Sequence, residues 1–358
     1  MAYYGLIMAG GVGTRLWPLS RRHRPKQSLE LVGNATMFEQ AVERVTPLFG
    51  LDRILVITAA EHVDLLAEQV PQLPKANFIV EPEGRGTAPC IGLAAIHLRR
   101  RDPDATMAVL TADHFIRDAA RFREVLMAAE QVARDDYLVT LGITPTGPST
   151  GYGYIQQGER IATCRGLDVF RTERFTEKPD YETAVRMVTS GRYSWNSGMF
   201  IWRLGRILDE IREQMPELYT TLGEIEPTLD TQEYEPVLTR CWPRVAKQTI
   251  DYGVMEKATH VAVVPADIGW CDIGSWASLA ALLPSDEQGN VVRGEHVGID
   301  TSHSFIWGDR RLIATIGLER IVVVDTEDAL LICPLEREQE VREIAQRLGQ
   351  DSSSVHWT

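Results

Sequence analysis

A glycine-rich loop near the start of the chain, directly after a short apolar segment, constrains the fold more than any other feature. Residues 6–9 (Leu-Ile-Met-Ala) predict a buried strand, and Gly10, Gly11 and Gly13 follow it. Glycine backbone can approach a ligand closely and can adopt positive φ, so that successive N–H groups converge on phosphate oxygens. Basic residues lie in and beyond the loop: Arg15, Arg21, Arg22, Arg24 and Lys26. The loop therefore predicts a polyphosphate site.

Two other phosphate-binding motifs are excluded by their spacing. A P-loop needs a lysine directly after its last glycine, and none of these glycines is followed by one. A dinucleotide-binding loop needs Gly-x-Gly-x-x-Gly, but Leu16 stands where the third glycine belongs. A dehydrogenase is therefore disfavoured, and the loop suits a nucleoside triphosphate.

Composition and charge exclude several classes of partner. Apolar (44%) and charged (24%) residues of the 358-residue chain are in the range of soluble globular proteins. The net charge of −13 argues against nucleic acid or an anionic membrane as a partner. No apolar run has the length of a membrane span, no signal peptide precedes the first strand, and the five cysteines are scattered. We therefore expect a cytoplasmic protein.

Alternating strand-like and helix-like segments predict an α/β fold with a mainly parallel sheet flanked by helices. Ligands of such sheets bind beyond the carboxyl ends of the strands, and the glycine loop, Glu81 and Asp113 all follow predicted strand ends. We therefore expect them to share one site. The predicted strands span residues 6–9, 53–58, 77–81, 107–113 and 137–142, and the helices 37–49, 61–70, 88–100 and 122–134.

The remainder of the chain divides into two parts. After a Gly/Pro/Ser-rich joint at 144–154, irregular segments predict strands at 154–157, 195–202 and 261–264 and helices at 181–190 and 207–214. From about residue 285, short β-type runs and a helix at 335–348 predict a small all-β domain with a final helix. We expect a catalytic domain at 1–284, in halves of about 1–145 and 146–284, and a C-terminal domain at 285–358.

Two aspartates are candidate ligands for Mg²⁺. Asp113 lies where a buried strand stops, and Asp272 lies in the tight Gly-Trp-Cys-Asp-Ile-Gly segment. Mg²⁺ takes one or two carboxylates together with water and substrate phosphates. The alternative for Asp113 is an aspartate at the start of a loop that caps the next turn. That Asp113 and Asp272 meet at one metal site is a hypothesis.

Other polar residues suit a sugar phosphate and a guanine base. Lys178 can hold a phosphate, and Glu177 and Asn196 can bond sugar hydroxyls, although a solvated turn and a satisfied buried amide are the alternatives. Glu81 or Glu83 can accept hydrogen bonds from the N–H donors of guanine. His114 is interpreted as structural, and Cys271 lacks the activating histidine that a nucleophile needs.

Taken together, these motifs resemble the sugar nucleotidyltransferases and, within them, the bacterial mannose-1-phosphate guanylyltransferases. The loop continues as Leu16-Trp-Pro-Leu-Ser-Arg and reaches Lys26-Gln27. The segments Phe175-Thr-Glu-Lys-Pro, Trp195-Asn-Ser-Gly-Met-Phe, Ile250-Asp-Tyr-Gly-Val-Met-Glu-Lys and Gly269-Trp-Cys-Asp-Ile-Gly-Ser-Trp follow in the family order. Thr176, Gly253 and Cys271 depart from the family pattern, and none of them removes a charged group.

The resemblance implies transfer of GMP from GTP to mannose 1-phosphate, giving GDP-mannose and pyrophosphate. It also implies that Asp113 and Asp272 hold Mg²⁺ or another divalent cation. It also implies a Rossmann-like, GT-A-like mixed sheet, a left-handed β-helix-like cap and a homodimer. The nucleotide-binding half would contribute Ala9, Gly10, Gly11, Gly13, Thr14, Arg15, Lys26, Glu81, Gly86, Thr87, Ala88 and Asp113. The sugar-binding half would contribute Gly153, Glu177, Lys178 and Asn196, with Arg15, Lys26, Asp113, Lys178 and Asp272 in catalytic roles.

Two alternatives stay open at this point. The first is the same chemistry on another hexose 1-phosphate or with ATP or UTP. The second is a non-catalytic subunit that binds GDP-mannose, although Arg15, Lys26, Asp113 and Asp272 are all present. The chain ends where longer relatives continue into a mannose-6-phosphate isomerase domain, so we expect that second activity to be missing.

Overall fold

A computed structural model describes residues 2–350 and 354–358, which form two compact units. The first unit runs to Gly10, continues over Ala41–Ala112 and ends with Ile116–Trp270. The second unit comprises Gly11–Gln40, Asp113–Phe115 and the chain from Cys271 onward. The domain boundaries expected at 145 and 284 stay a prediction.

The first unit is built on a nine-stranded sheet with the order β3-β2-β1-β4-β9-β6-β10-β8-β7. β9 and β8 run against the other seven strands, so the expected mixed, mainly parallel sheet is confirmed. The strands between the start of the chain and Cys271 are β1 (Tyr3–Met8), β2 (Ile54–Ala59), β3 (Phe78–Glu81), β4 (Thr106–Thr111), β5 (Phe115–Ile116), β6 (Leu138–Ile143), β7 (Tyr154–Cys164), β8 (Leu167–Thr176), β9 (Tyr193–Arg203), β10 (Val261–Pro265) and β11 (Trp270–Cys271).

Helices cover the sheet because its parallel strands are apolar on both faces. Residues 54–57 of β2, for example, are at most 1% exposed. α4 begins where the Asp118 carboxylate accepts a hydrogen bond from Arg121 N over 2.8 Å, which is a typical N-cap. The helices are α1 (Met37–Phe49), α2 (Val63–Gln69), α3 (Thr87–Arg101), α4 (Ala119–Ala133), α5 (Tyr181–Thr189), α6 (Leu204–Gln214), α7 (Pro216–Ile225) and α8 (Tyr234–Cys241).

The long hairpin of β7 and β8 departs most from the sequence expectation, which placed a strand only at 154–157. Much of this hairpin is half-buried or exposed and rich in charged residues, so it lacks the apolar alternation that predicts strands. The two strands meet at Arg165 and Gly166, both with positive φ. Helices α7 and α8 were also not predicted.

The second unit contains short strands followed by a final helix. β14 pairs in parallel with β12 and β16, β13 pairs in parallel with β15, and β16 pairs antiparallel with β17. The helix expected at 335–348 begins as a 3₁₀ segment, Leu335–Glu340, and becomes α-helical at Val341. The elements are α9 (Trp276–Ala280), β12 (Val291–Arg293), β13 (His296–Ile299), β14 (Phe305–Trp307), β15 (Ile313–Ile316), β16 (Ile321–Asp325), β17 (Leu330–Pro334) and α10 (Val341–Gln350).

None of the helices in the described ranges combines the length and the apolar character that crossing a membrane requires.

Candidate active site

The glycine loop of the second unit folds around the base of Lys26. Gly13 has φ of +77°, and its carbonyl accepts a hydrogen bond from Ser20 Oγ over 2.6 Å. Lys26 N donates to Val12 O over 3.1 Å. A Cβ on Gly13 would lie 2.5 Å from Lys26 Cβ. Glycine is therefore required here for both its backbone conformation and its lack of a side chain.

Lys26 joins the two candidate metal-binding aspartates. Its buried ammonium group donates to Asp113 Oδ2 over 2.9 Å and to the backbone carbonyl of Asp272. Burial opposes ionisation of Asp113, but the positive charges of Lys26 and His114 outweigh it and lower the pKa of the carboxyl below its usual value. Asp113 is therefore a carboxylate at neutral pH.

A cavity of about 360 Å³ in the second unit is lined by Gly13 and by predicted phosphate- and metal-binding side chains, whereas Gly10 and Gly11 do not line it. Thr14 and Arg15 line it together with Lys26, Asp113 and Asp272. Arg342 of α10 lines the same cavity and was not predicted, because nothing in the sequence marks one arginine of a charged helix so far from the loop. His114 and Gly274 complete this wall, and Gly274 N donates to Asp272 Oδ1 over 3.1 Å.

The two carboxylates fit Mg²⁺ as an incomplete set of ligands. Among the residues that the structure describes, no group of three or more His, Cys, Asp or Glu side chains is arranged to hold a metal ion. Mg²⁺ does not need such a cage, since it keeps water and shares substrate phosphates with one or two carboxylates. Asp113 and Asp272 supply hard oxygen ligands in the cavity that also holds the basic residues.

A second group of predicted residues, on the sugar side, meets in the first unit. Asn196 N donates to Gly153 O over 2.8 Å. A Cβ on Gly153 would collide with the Glu177 carboxylate, so glycine lets these residues approach. Lys178, with φ of +45°, donates from Nζ to Glu177 Oε1 over 2.6 Å. The Glu177 side chain is 10% exposed, whereas that of Lys178 is 55% exposed and can reach a ligand.

Asp251 joins this group, although the sequence analysis gave it no role. It begins a π-helical turn, Asp251–Met255. Such turns are rare in proteins, and those that occur are often at functional sites. Its Oδ1 accepts a hydrogen bond from Asn196 Nδ2 over 2.8 Å. Burial and the nearby negative charge of Glu177 raise its pKa to about 6, against the opposing effects of Asn196 and Lys178. The Ile-Asp-Tyr-Gly motif was the available signal.

The start of α3 and the end of β3 hold the residues predicted to face the nucleotide. Thr87 Oγ1 accepts from Ile250 N over 2.8 Å, and Ala88 N donates to Gln248 O over 3.2 Å. Gly86 has φ of +90°, and a Cβ there would collide with the Gln248 carbonyl. Residues 86–88 are thus held by the segment that leads directly into Asp251.

Glu81 is the most constrained residue of this nucleotide-side group. Its side chain lies at the end of β3, the residue is 7% exposed, and Oε1 has no hydrogen-bond partner among the described residues. Burial raises the pKa of the carboxyl to about 7, although a hydrogen bond with Cys90 opposes this effect. A buried carboxylate with a free oxygen has an unused acceptor.

Several predicted basic or loop residues lie outside these groups, among them Arg21, Ala9 and Gly10. Arg21 is buried and forms an ion pair with Asp328 over 2.9 Å, so it contributes to packing. Ala9 continues β1 in the first unit, where its N–H donates to Ile57 O over 2.9 Å, and Gly10 follows it. The roles given to all of these residues stay predictions.

Comparison with known proteins gives two family matches. A family model described as nucleotidyl transferase matches residues 4–289. A second, described as a MannoseP isomerase/GMP-like beta-helix domain, matches residues 294–348.

Individual proteins are similar over nearly the whole chain. Mannose-1-phosphate guanylyltransferase of Klebsiella pneumoniae is 40% identical over 98% of this chain and 75% of its own length. Xanthan biosynthesis protein XanB of Xanthomonas campestris is 41% identical over 98% of this chain and 75% of its own length. A crystal structure from Thermus thermophilus, described as mannose-1-phosphate geranyltransferase, is 34% identical with a TM-score of 0.88, covering 97% of this chain and 99% of that one.

Proposed function

The chain belongs to the nucleotidyl transferase family, and on this premise we propose that it transfers GMP from GTP to α-D-mannose 1-phosphate. The products are GDP-mannose and pyrophosphate. The observation that carries the proposal is the cavity in which Lys26 joins Asp113 and Asp272 beside the glycine loop. Relatives that are named for this activity are about 40% identical over nearly the full chain.

The reaction is a displacement at the α-phosphorus of GTP. A phosphate oxygen of mannose 1-phosphate forms a bond to this phosphorus, and the bond to the oxygen bridging the α- and β-phosphates breaks. The nucleophile is already an anion, so no general base is required. Catalysis then consists of positioning the two substrates and neutralising charge.

The second unit supplies the groups that neutralise the phosphates. Backbone N–H groups of Gly11, Gly13 and Thr14, continuing from Gly10, cradle the triphosphate. The guanidinium of Arg15 and the ammonium of Lys26 bind its oxygens and stabilise the negative charge that accumulates on the leaving pyrophosphate.

Asp113 and Asp272 would hold Mg²⁺, which when bound supplies positive charge to the phosphates of the substrate. Replacing Asp113 with alanine removes a charge at a cavity wall and no core volume. We therefore expect the Asp113→Ala variant to lose turnover and to keep the circular dichroism of a folded protein. Its melting temperature should fall, because the buried Lys26 ammonium loses its carboxylate partner. Pyrophosphate release that persists in a folded variant would overturn the metal assignment.

The first unit supplies the groups that recognise the sugar and the base. Lys178 binds the sugar phosphate, and Glu177 and Asn196, with the backbone of Gly153, bond to the hydroxyl groups of mannose. Asp251 shares a hydrogen bond with Asn196 and can accept from a hydroxyl with its other oxygen. Glu81 accepts from guanine, and Gly86, Thr87 and Ala88 line the base and ribose. Glu83 is less suited than Glu81, because it is exposed and paired with Arg85.

A screen of substrates tests the proposed function. Pyrophosphate release is measured with GTP, ATP, UTP and CTP, each with mannose 1-phosphate and with glucose 1-phosphate. We expect the highest kcat/KM with GTP and mannose 1-phosphate. A higher kcat/KM with another pair would reassign the substrate, and binding of GDP-mannose with no release from any pair would favour the non-catalytic subunit.

The cytoplasmic location and the homodimer are also part of the proposal. All five cysteines are free thiols, which is usual in a reducing compartment. Family resemblance supports the dimer, and sedimentation equilibrium of the purified protein would test it.

A further inference from the structure

The final helix, α10, is packed within the second unit against the turn that follows the glycine loop. Val341 and Ala345, one helical turn apart, are buried in the same apolar cluster as Leu16 and Trp17. This packing fixes the helix beside the 3₁₀ turn Thr14–Leu16. The neighbouring residue Arg342 consequently lines the cavity that contains Arg15, Lys26 and both aspartates.

Arg342 differs from the neighbouring arginines in having no ion-pair partner among the described residues. Arg337 and Arg347 form ion pairs with Glu340 and Glu343. Over the described part of the chain, neither Arg342 nor Arg15 forms an ion pair. Two guanidinium groups that line one cavity without an ion-pair partner repel each other, whereas an anion bound in that cavity is attracted by both.

The other cation of the cavity is already committed to a carboxylate. Lys26 is held by Asp113 and by the Asp272 carbonyl, so its charge is largely offset within the protein. Three cationic side chains and the two aspartate carboxylates line the cavity, so the arginines provide the positive charge that the aspartates do not offset. Guanidinium groups bind phosphate oxygens in bidentate fashion, which suits the two terminal phosphates of a nucleoside triphosphate.

We propose that Arg342 of the C-terminal domain binds the pyrophosphate portion of GTP, together with Arg15. This inference rests on the proposed function, because it names a further ligand of the same substrate. It also gives α10 a role in the chemistry, since the helix that closes the C-terminal domain then carries part of the nucleotide site.

Pyrophosphate binding, measured by isothermal titration calorimetry with Mg²⁺ present, tests the inference without requiring turnover. Arg342→Gln is compared with Arg347→Gln, a control on the same helix whose side chain is 80% exposed and does not line the cavity. We expect Arg342→Gln to weaken pyrophosphate binding at least about tenfold, which corresponds to the loss of a charged hydrogen bond. The control should bind as the wild type does, and Arg342→Lys should recover part of the affinity.

Kinetics then separate this inference from the proposed function. We expect Arg342→Gln to raise KM for GTP while KM for mannose 1-phosphate stays within about twofold. Equal pyrophosphate affinity of Arg342→Gln and Arg347→Gln would overturn the inference, even if the wild type makes GDP-mannose. If the wild type makes no nucleotide sugar, the proposed function fails. The inference still stands in that case if Arg342→Gln, but not Arg347→Gln, binds pyrophosphate more weakly than the wild type does.

Discussion

Lys26 donates a hydrogen bond to the Asp113 carboxylate over 2.9 Å, and the same ammonium group donates to the backbone carbonyl of Asp272. Three segments that are distant in the sequence therefore meet at one nitrogen atom. The contact holds Lys26 in place and keeps the pKa of Asp113 low despite burial. We propose that this arrangement neutralises the substrate phosphates during GMP transfer.

Substitution of Lys26 with alanine should reduce kcat by about two orders of magnitude or more, as expected for loss of a charge that stabilises the transition state. Steady-state kinetics with saturating GTP and mannose 1-phosphate provide the measurement. A change confined to KM would show that Lys26 contributes only to substrate binding.

Alanine at Gly13 should destabilise the protein by about 1–3 kcal/mol, because the residue needs positive φ and a Cβ would strike Lys26. Urea unfolding measures the effect. Gly10→Ala is the matched control, since a Cβ there meets no heavy atom within 4 Å and the backbone lies outside the positive-φ region. Similar losses of stability in the two variants would contradict the role given to Gly13.

Asparagine at Asp251 should raise KM for mannose 1-phosphate about tenfold or more, since a charged acceptor of sugar hydroxyls is lost. KM for GTP should stay nearly constant, which makes the second substrate an internal control. If both KM values rise together, or neither does, Asp251 does not bind the sugar.

Glutamine at Glu81 should make stability less dependent on pH. Burial raises the pKa of Glu81 from its ordinary 4.5 to about 7, so the native state binds this proton more tightly than the unfolded chain does. The wild type therefore loses stability as the pH rises from about 4.5 to about 7, and Glu81→Gln does not. Above this range the variant should be more stable, by a difference on the order of 3 kcal/mol at 1.36 kcal/mol per pKa unit.

Urea unfolding at pH 4.5 and pH 8 checks the Glu81 prediction, with Glu83→Gln as the control because Glu83 is exposed and paired with Arg85. A constant difference in stability between Glu81→Gln and the wild type at the two pH values would contradict it.

The parts of the fold that the sequence predicted well are those with simple periodicity. The predicted strands of the first 145 residues have continuous apolar runs that alternate with helical segments, and the structure places the bounds of both within a few residues of the expectation. The two-residue strand β5 was not predicted. The β7–β8 hairpin was missed beyond its first residues because its exposed, charged positions hide the alternation. Local pattern alone therefore underestimates strands with little burial.

In the candidate site, too, some residues could be predicted from the local sequence and others could not. Thr14, Arg15 and Lys26 are close in sequence, so their nearness follows from the loop itself. Asp251 and Arg342 reach their positions through a π-helical turn and through the packing of the last helix. Asp251 lies in the Ile-Asp-Tyr-Gly motif, but the motif did not indicate a role for it. Arg342 has no local sequence signal, because its position depends on a contact between distant segments.

The most direct test uses GTP that is labelled at its α-phosphorus. The protein is incubated with this GTP, mannose 1-phosphate and Mg²⁺, and the labelled products are identified. We expect the label to appear in GDP-mannose and unlabelled pyrophosphate to be released in an equal amount. Label found in free GMP, or retained entirely in GTP while GDP-mannose remains absent, would contradict the transfer of GMP by this protein.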